Sequence, residues 1–419
     1  MPPASREPLR YLLVLPPPPS PPTFAALKAA YVSTLTIVLR ELSRLPNRRS
    51  TPITLDIALP CPHLYASPTA PRSALWKTTQ KLVAGLYKLV CIVSARDSID
   101  VEDAEGVDAR VLLVAYPRNG KLDHVSDGTP ESDTLGPITD VATLARSGRN
   151  FSTVYSVETE GGELVLRSFL AATGAKVDVT RIRGGIVQVS NQQEELHVEG
   201  ELSAYKRHYD VAVGGTFDHL HIGHKLLLTM TAFAVEAPQS AAASDPPRKR
   251  TVTIGITGDE LLKNKKYAEY LESWDDRQKA VYEFLLSILD FSAPGSSKIK
   301  IEEKNEPGPN GHAVHISLPC GLTIKCVEIW DPFGPTITDE NISALVISAE
   351  TRSGGKAVNE KRAEKGWAEL EVLEVDVLDA VEVLDAVEDE EAGKVDEDFY
   401  SKISSTEIRR NLSEKKARI

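Results

Sequence analysis

Residues 209–230, YDVAVGGTFDHLHIGHKLLLTM, constrain the rest of the chain more than any other stretch. Val211, Ala212 and Val213 form an apolar run of strand type. Two glycines and a polar turn follow, and apolar residues then recur at helical spacing at Ile222, Leu226, Leu227 and Met230. A strand that turns quickly into a helix places Gly214 and Gly215 where backbone N–H groups can meet an anion closely, and the helix start adds its positive end at the same point. His221 and His224 stand in the opening turn and share one helix face. Two histidines at a helix start are as often caps or surface groups as ligand contacts. Here the glycines, Thr216 and a second hydroxyl-rich motif far downstream favour an anion site.

A chain of 419 residues with 42% hydrophobic and 26% charged residues fits a globular protein of two or three domains. The net charge of −12 argues against a broad basic face for nucleic acid while leaving room for a local positive pocket. Cys61, Cys91, Cys320 and Cys326 lack C-x-x-C spacing, so neither a zinc site nor a disulfide framework is expected, and a reducing cytoplasmic or nuclear setting is. No apolar run approaches the ~20 residues of a membrane helix, and no signal-peptide layout is expected at the amino terminus.

Residues 1–195 read as a separate α/β domain. The pattern predicts strands at 11–15, 53–59, 90–94, 110–115 and 182–189, helices at 24–45 and 73–89, a stiff proline run at 16–22 and a hairpin over 151–165. No phosphate loop, nucleophile elbow or metal spacing occurs there, so a structural or regulatory module is expected. Residues 205–419 alternate more tightly. Strands are predicted at 251–257, 323–330, 344–349 and 370–378, and helices at 275–289 and after Lys356. Disordered inserts are expected near 237–250, 292–320 and 380–400, the second with room for a local hairpin and the last within an acidic segment that carries VLDAVE twice. Ser404, Ser405 and Thr406 precede a short amphipathic run, as a helix N-cap does.

Ligands of a parallel α/β sheet bind outside the carboxyl ends of its strands. If these strands share a sheet, residues 215–224, 258–266, 331–335, 350–356 and 404–409 converge on one cleft rich in glycine, hydroxyl, histidine, lysine and arginine. That inventory suits phosphates. Neither a P-loop nor the protein-kinase set is present. Nucleotidyl transfer to a phosphate anion needs no base, only positioning and cationic stabilisation at the α-phosphate.

G-G-T-F-D-x-x-H-x-G-H with a distant I-S-S-T-x-x-R resembles the nucleotidyltransferase superfamily that includes the class I aminoacyl-tRNA synthetases. Within it, D-P-F-G-P at 331–335 and E-T-R-x-G-G-x-x-x-N at 350–359 resemble the eukaryotic type of phosphopantetheine adenylyltransferase, over residues 209–412. The resemblance implies a Rossmann-like parallel-sheet domain. It also implies transfer of adenylyl from Mg²⁺-bound ATP to 4′-phosphopantetheine, giving dephospho-coenzyme A and pyrophosphate. By the same resemblance His224 steadies the transition-state phosphate, His221 contacts nucleotide phosphates and Thr216 holds the acceptor phosphate. Lys263, with Lys265 as substitute, binds the phosphopantetheine phosphate. Gly215, Phe217, Arg352, Ser404, Ser405, Thr406 and Arg409 complete the nucleotide site, and no resident metal is expected. Animal relatives are often fused to dephospho-coenzyme A kinase. No kinase P-loop follows here, so the chain resembles the single-function fungal form, with that kinase or other coenzyme A synthesis enzymes as expected partners. Three other readings stay open: a tRNA synthetase, disfavoured by the acidic charge and by Ser405 where the K-M-S-K-S loop has lysine; another adenylyl- or cytidylyltransferase; and an inactive scaffold.

Overall fold

In the computed structural model the described residues are 9–45, 53–101, 106–122, 136–174, 176–189, 202–238, 248–292, 295, 298–319, 321–376 and 404–417. Two sheets organise them. The first consists of β1 (Leu9–Val14), β2 (Ile53–Pro60), β3 (Val107–Val114), β4 (Ile138–Thr139), β5 (Phe151–Val157) and β6 (Val179–Ile182), all parallel in the order β4-β3-β2-β1-β5-β6. Its helices are α1 (Phe24–Ser43), α2 (Pro62–Ala66), α3 (Arg72–Arg96), α4 (Val141–Arg146) and α5 (Glu160–Ala172). Pro16 to Pro19 after β1 are buried and fastened by Tyr31 Oη, which donates to the Pro16 carbonyl at 2.9 Å, and Arg118 Nη1, which donates to that of Pro18 at 2.6 Å.

The second sheet runs β13-β12-β7-β8-β11-β10-β9. Five strands are parallel: β7 (Asp210–Gly215), β8 (Arg250–Thr257), β11 (Leu322–Ile329), β12 (Ala344–Ser348) and β13 (Glu371–Val375). In chain order these five lie 5-4-1-2-3, the doubly wound arrangement in which the strand order reverses beside the first strand. Helices α6 (Ile222–Ala234) and α7 (Trp274–Leu289) follow β7 and β8. Helix α8 (Arg352–Glu364) joins β12 to β13, and α9 (Ser405–Ala417) ends the described chain. Alternation along the strands divides the core: Val211, Val213, Ala344 and Val346 join the large cluster, whereas Ala212, Leu345 and Ile347 join the smaller one with Val358 of α8.

Four expectations are corrected. Residues 90–94 are no strand but the last turns of α3, most of whose 25 residues are buried. The valines and isoleucine there read as strand by propensity, and burial between two layers overrides it. Residues 151–165 form β5 and the start of α5 rather than a hairpin. Thr159 caps that helix by accepting from Gly162 N at 3.1 Å, and Glu160 and Glu163 favour its first turn. The strand expected at 182–189 ends at Ile182, after which only an isolated bridge joins Val189 to Ser20. The insert at 292–320 is largely ordered: the local hairpin expected within it is β9 (Lys300–Asn305) and β10 (His312–Ser317), which pair antiparallel and extend the sheet beyond β11. Its charged sequence is what an exposed edge strand needs to deter further pairing. Residues 239–247 of the first insert, the segment 380–400 and the acidic repeat at 377–398 lie outside the described residues. Among the described residues no helix is long and apolar enough to cross a membrane.

Candidate functional site

The strand-turn-helix of residues 210–224 stands where the strand order of the second sheet reverses. Its turn is tight and costly. Phe217 and His219 both take left-handed backbone conformations, at φ 53° and 46°, which non-glycine residues hold only when their surroundings enforce them. The Phe217 ring lies so close to Gly215 that a Cβ there would meet it at 3.0 Å, and on its other side it packs against the His224 ring at 5.3 Å between centroids.

Three groups enforce the turn. Arg277 of α7, fully buried, donates to the carbonyls of Thr216 (2.6 Å), Thr257 (2.9 Å) and Glu272 (3.0 Å) and to Asp259 Oδ1 (2.6 Å), tying the loops after β7 and β8 together. His219 donates from its backbone to Glu272 (2.7 Å) and from Nε2 to the Tyr270 carbonyl (2.8 Å). Asp218, fully buried, accepts from Glu272 N (3.0 Å) and pairs with Arg409.

His221 and His224 stack on one another with centroids 3.8 Å apart and planes 20° off parallel. The Nδ1 atom of each is buried with no hydrogen-bond partner. Desolvation lowers His224 to about 4, with Asp218 opposing and His219 adding to the shift. Desolvation, then His224 and Lys225, push His221 well below the ordinary imidazole value. Both rings are therefore neutral at pH 7, as hydrogen-bond donors rather than fixed cations.

The shifts also carry a sign for stability. These groups titrate near 6.5 in the unfolded chain, so between about 4 and 6.5 the unfolded state binds more protons; stability is fully present above that window and falls as pH drops through it. His63, which desolvation also lowers to about 4 in the first sheet's layer, acts with the same sign. We expect the melting temperature to fall from pH 6.5 towards 4 and His63→Leu to make that fall shallower. A fall of unchanged steepness would remove His63 from the account.

The second motif reaches this site. Ser405 Oγ donates to the Asp218 carbonyl at 2.8 Å. Arg409 pairs with the Asp218 carboxylate, and it donates to the Lys266 carbonyl (3.1 Å) and Thr406 Oγ1 (3.3 Å). Ser404, Ser405 and Thr406 thus lie beside the turn of Phe217–Asp218. The guanidinium of Arg409, expected to reinforce a phosphate loop, is instead committed to fastening α9 to that turn.

On the α8 side of β7 lies a cavity of about 330 Å³ lined by Gly214, Gly215, Thr257, Leu261, Phe333 and Gly355 among others. Its far wall is the D-P-F-G-P bend. Asp331 Oδ1 accepts from Phe333 N (2.7 Å) and Gly334 N (2.9 Å), so this carboxylate forms the bend. Gly334 needs its missing side chain, because a Cβ would meet Ile329 at 2.5 Å and its φ is 48°. Arg362, fully buried, donates to the carbonyls of Thr336, Asp339, Glu340, Ile342 and Ala368. Asn359 satisfies both backbone groups of Leu370. The histidines do not line this cavity; Gly215 and Phe217 stand between.

Two expected phosphate ligands sit at the rim. Lys263 is exposed and paired with Glu260. Arg352, also exposed, makes a two-pronged pair with Glu374 of β13. Exposed pairs of this kind are worth little and are easily exchanged for another anion. Buried Arg277 and Arg362, the keystones of the cleft, were missed by the sequence reading. Their signal is faint: Arg277 is the one arginine of the helix following β8, and Arg362 shares the helix following β12 with the exposed Arg352.

Residues 1–190 match the family described as "Domain of unknown function (DUF8446)". An uncharacterized protein of Schizosaccharomyces pombe is 36% identical over 203 residues, 48% of this chain and 48% of that protein. A phosphopantetheine adenylyltransferase of Saccharomyces cerevisiae is 35% identical over 222 residues, 53% of each. The chain thus spans about half the length of these two fungal relatives. It covers much more of the phosphopantetheine adenylyltransferase of Pyrococcus horikoshii: 31% identity over 173 residues, 41% of this chain and 81% of that one. Fold, site and relatives together define a protein of the nucleotidyltransferase kind. The chain belongs to the phosphopantetheine adenylyltransferase family.

Proposed function

We propose that this protein transfers the adenylyl group of ATP to 4′-phosphopantetheine, giving dephospho-coenzyme A and pyrophosphate in coenzyme A synthesis. The observation that carries the reading is the Asp218 junction, where one buried residue fastens the His221 and His224 loop to the helix of Ser405, Thr406 and Arg409. Two phosphate-type loops then serve one strand edge. A phosphate oxygen of the acceptor attacks the α-phosphorus of ATP, the bond from that phosphorus to the α,β-bridging oxygen breaks, and the charge leaves on pyrophosphate. The attacker is already an anion, so no base is required, and what remains is alignment and stabilisation of charge on oxygen.

His221 and His224 donate to the ATP phosphates, His224 to the α-phosphate at the transition state. Thr216 seats the acceptor phosphate; Gly215 and Phe217 shape the turn; Ser404, Ser405 and Thr406 cradle the β- and γ-phosphates; and Arg352 exchanges Glu374 for phosphate. Among the described residues no group of three or more His, Cys, Asp or Glu could hold a metal ion; in this reading Mg²⁺ arrives with the ATP substrate. A cytoplasmic or nuclear place of work suits Cys61, Cys91 and Cys326, which are buried and outside any disulfide. Dephospho-coenzyme A kinase, which consumes the product, is the partner this reading favours.

The test is pyrophosphate release by the purified protein with Mg-ATP and 4′-phosphopantetheine. Release only with a different nucleotide or acceptor would redirect the assignment to another transferase, and no release with any would favour a scaffold. We expect Lys263→Ala to weaken acceptor binding about tenfold, the scale of one charge-assisted hydrogen bond, with ATP binding little changed. Separate titrations decide it, and unchanged acceptor affinity would move the role to Lys265.

A further inference from the structure

We propose that the first α/β layer, residues 9–189, is a positioning element of the reaction: Asp108 holds Lys225, and through it the start of the helix that carries His221 and His224. This rests on the functional reading above.

The two layers share one core. Helix α3 belongs to the first layer by its strand connections, yet it packs along α6, and its Leu82, Leu86 and Val90 fall in the same hydrophobic cluster as Leu226, Met230 and Phe233 of α6 and Leu373 and Val375 of β13. Trp76 of α3 donates from Nε1 to the Glu374 carbonyl at 3.2 Å and lies 6.4 Å from the Phe233 ring. Nearly every side of α6 is consequently buried, and its face away from the second sheet meets the first layer rather than water.

Polar contacts fix this packing in register. Lys225, the residue after His224, is 6% exposed, and its ammonium lies 2.7 Å from Asp108 Oδ1 near the amino end of β3. Arg110 binds the other Asp108 oxygen at 2.5 and 2.9 Å. Burial raises the Asp108 carboxyl, and the two cations more than offset it, holding it well below the usual carboxylate range. An ammonium so placed is tolerable only while paired. The next helix is held likewise: Arg149, between α4 and β5, donates to the carbonyls of Ser287 (2.6 Å) and Asp290 (3.1 Å) at the end of α7 and lies over the Phe291 ring. Arg149 is itself paired with the buried Asp56 at 2.9 Å. Thus the first layer grips α6 beside the histidines and α7 at its far end, while Arg277 of α7 fixes the turn from the other side. Effects of misplacement on a reaction that needs in-line geometry are large.

The experiment compares full-length Asp108→Asn, Lys225→Met and the double variant with wild type. We expect each single change to lower kcat about tenfold, measured well below its melting temperature. KM for ATP and for the acceptor should stay within about twofold. The double variant should be no worse than the poorer single one, since both break the same link. Backbone amides at 224–229 should exchange faster in Asp108→Asn, a readout that needs no turnover. Should Asp108→Asn fail to fold, Lys225→Met, which keeps the apolar stem, carries the same expectation. A variant that melts lower while its kcat and α6 exchange stay at wild-type values would overturn the proposal and leave a purely structural pair. So would single effects that multiply in the double variant. A wild type without pyrophosphate release would sink the functional reading instead, with the exchange arm still deciding the link.

Discussion

His224→Ala lowers turnover by at least about 100-fold, the effect of removing one preorganised donor from the oxygen on which charge develops. The expectation follows from three features of the ring. It is neutral, with its ordinary value lowered to about 4 by desolvation, so it approaches an anion as a donor and gains interaction as charge grows. Its orientation is fixed on both faces, by His221 at 3.8 Å and Phe217 at 5.3 Å, so little reorganisation accompanies the reaction. Its Nδ1 makes no hydrogen bond to protein, so no internal partner competes. In the proposed role the ring acts on the transition state more than on bound ATP, so the loss should fall on kcat and on kcat/KM alike, with a smaller change in ATP affinity. Rapid-quench measurement of adenylyl transfer separates this from slow product release. Near-wild-type turnover in the variant would rule out the role. His221→Ala should fall mainly on ATP binding, because that ring is the more deeply enclosed of the two and stacks behind its neighbour.

What could be read from the chain, and what could not, divides by range. The turn of residues 214–224 was legible because its glycines, hydroxyl and histidines are contiguous, and a strand-to-helix switch of apolar period places them without knowledge of the rest. The five parallel strands were legible for the same reason: each is a short apolar run ending in glycine, proline or charge. The run 90–94 was misread because the cue separating a buried helix from a buried strand is what packs around it. In α3 that is a layer more than a hundred residues away, α6 of the second sheet. Arg277 and Arg362 look like surface cations in their helices. Only the assembled fold shows carbonyls from several segments converging on each guanidinium, and the Asp218 carboxylate with the Lys266 carbonyl converging on that of Arg409. Lys225 is hidden in the same way, since its partner Asp108 lies in the other layer. Local pattern thus marked the turn and its candidate site residues, and the residues that hold them in place are the non-local ones.

The second large effect is expected where one such residue is cut. Asp218→Asn keeps the size of the side chain and the acceptor for Glu272 N, but it leaves the guanidinium of Arg409, 3% exposed, without its counter-charge. Removing one partner of a buried pair costs about 3–5 kcal/mol. That cost can be met by global unfolding or by local release, and the contacts of α9 decide which. Besides Arg409, the contacts of the helix include Ser405 Oγ to the Asp218 carbonyl and Lys416 over the Tyr270 ring at 5.8 Å, and of its described side chains only Ile408 and Arg409 are buried. So few contacts cannot hold it against such a penalty, whereas the sheet beneath has its own core. Asp218→Asn should therefore release α9, raising KM for ATP by at least about 100-fold, the equivalent of 3 kcal/mol or so. The main melting transition should stay close to that of wild type. Arg409→Met leaves Asp218 buried and unpaired and should do the same. Asp218→Asn combined with Arg409→Met removes both charges, so α9 should redock in part and ATP binding recover over either single variant, as apolar replacement of both members of a buried pair commonly allows. Amide exchange at residues 405–417 follows the docking directly. If α9 stays protected in Asp218→Asn while the whole protein melts lower, the pair supports the fold and not the union of the two phosphate loops, and the nucleotide site would have to be assembled by other contacts.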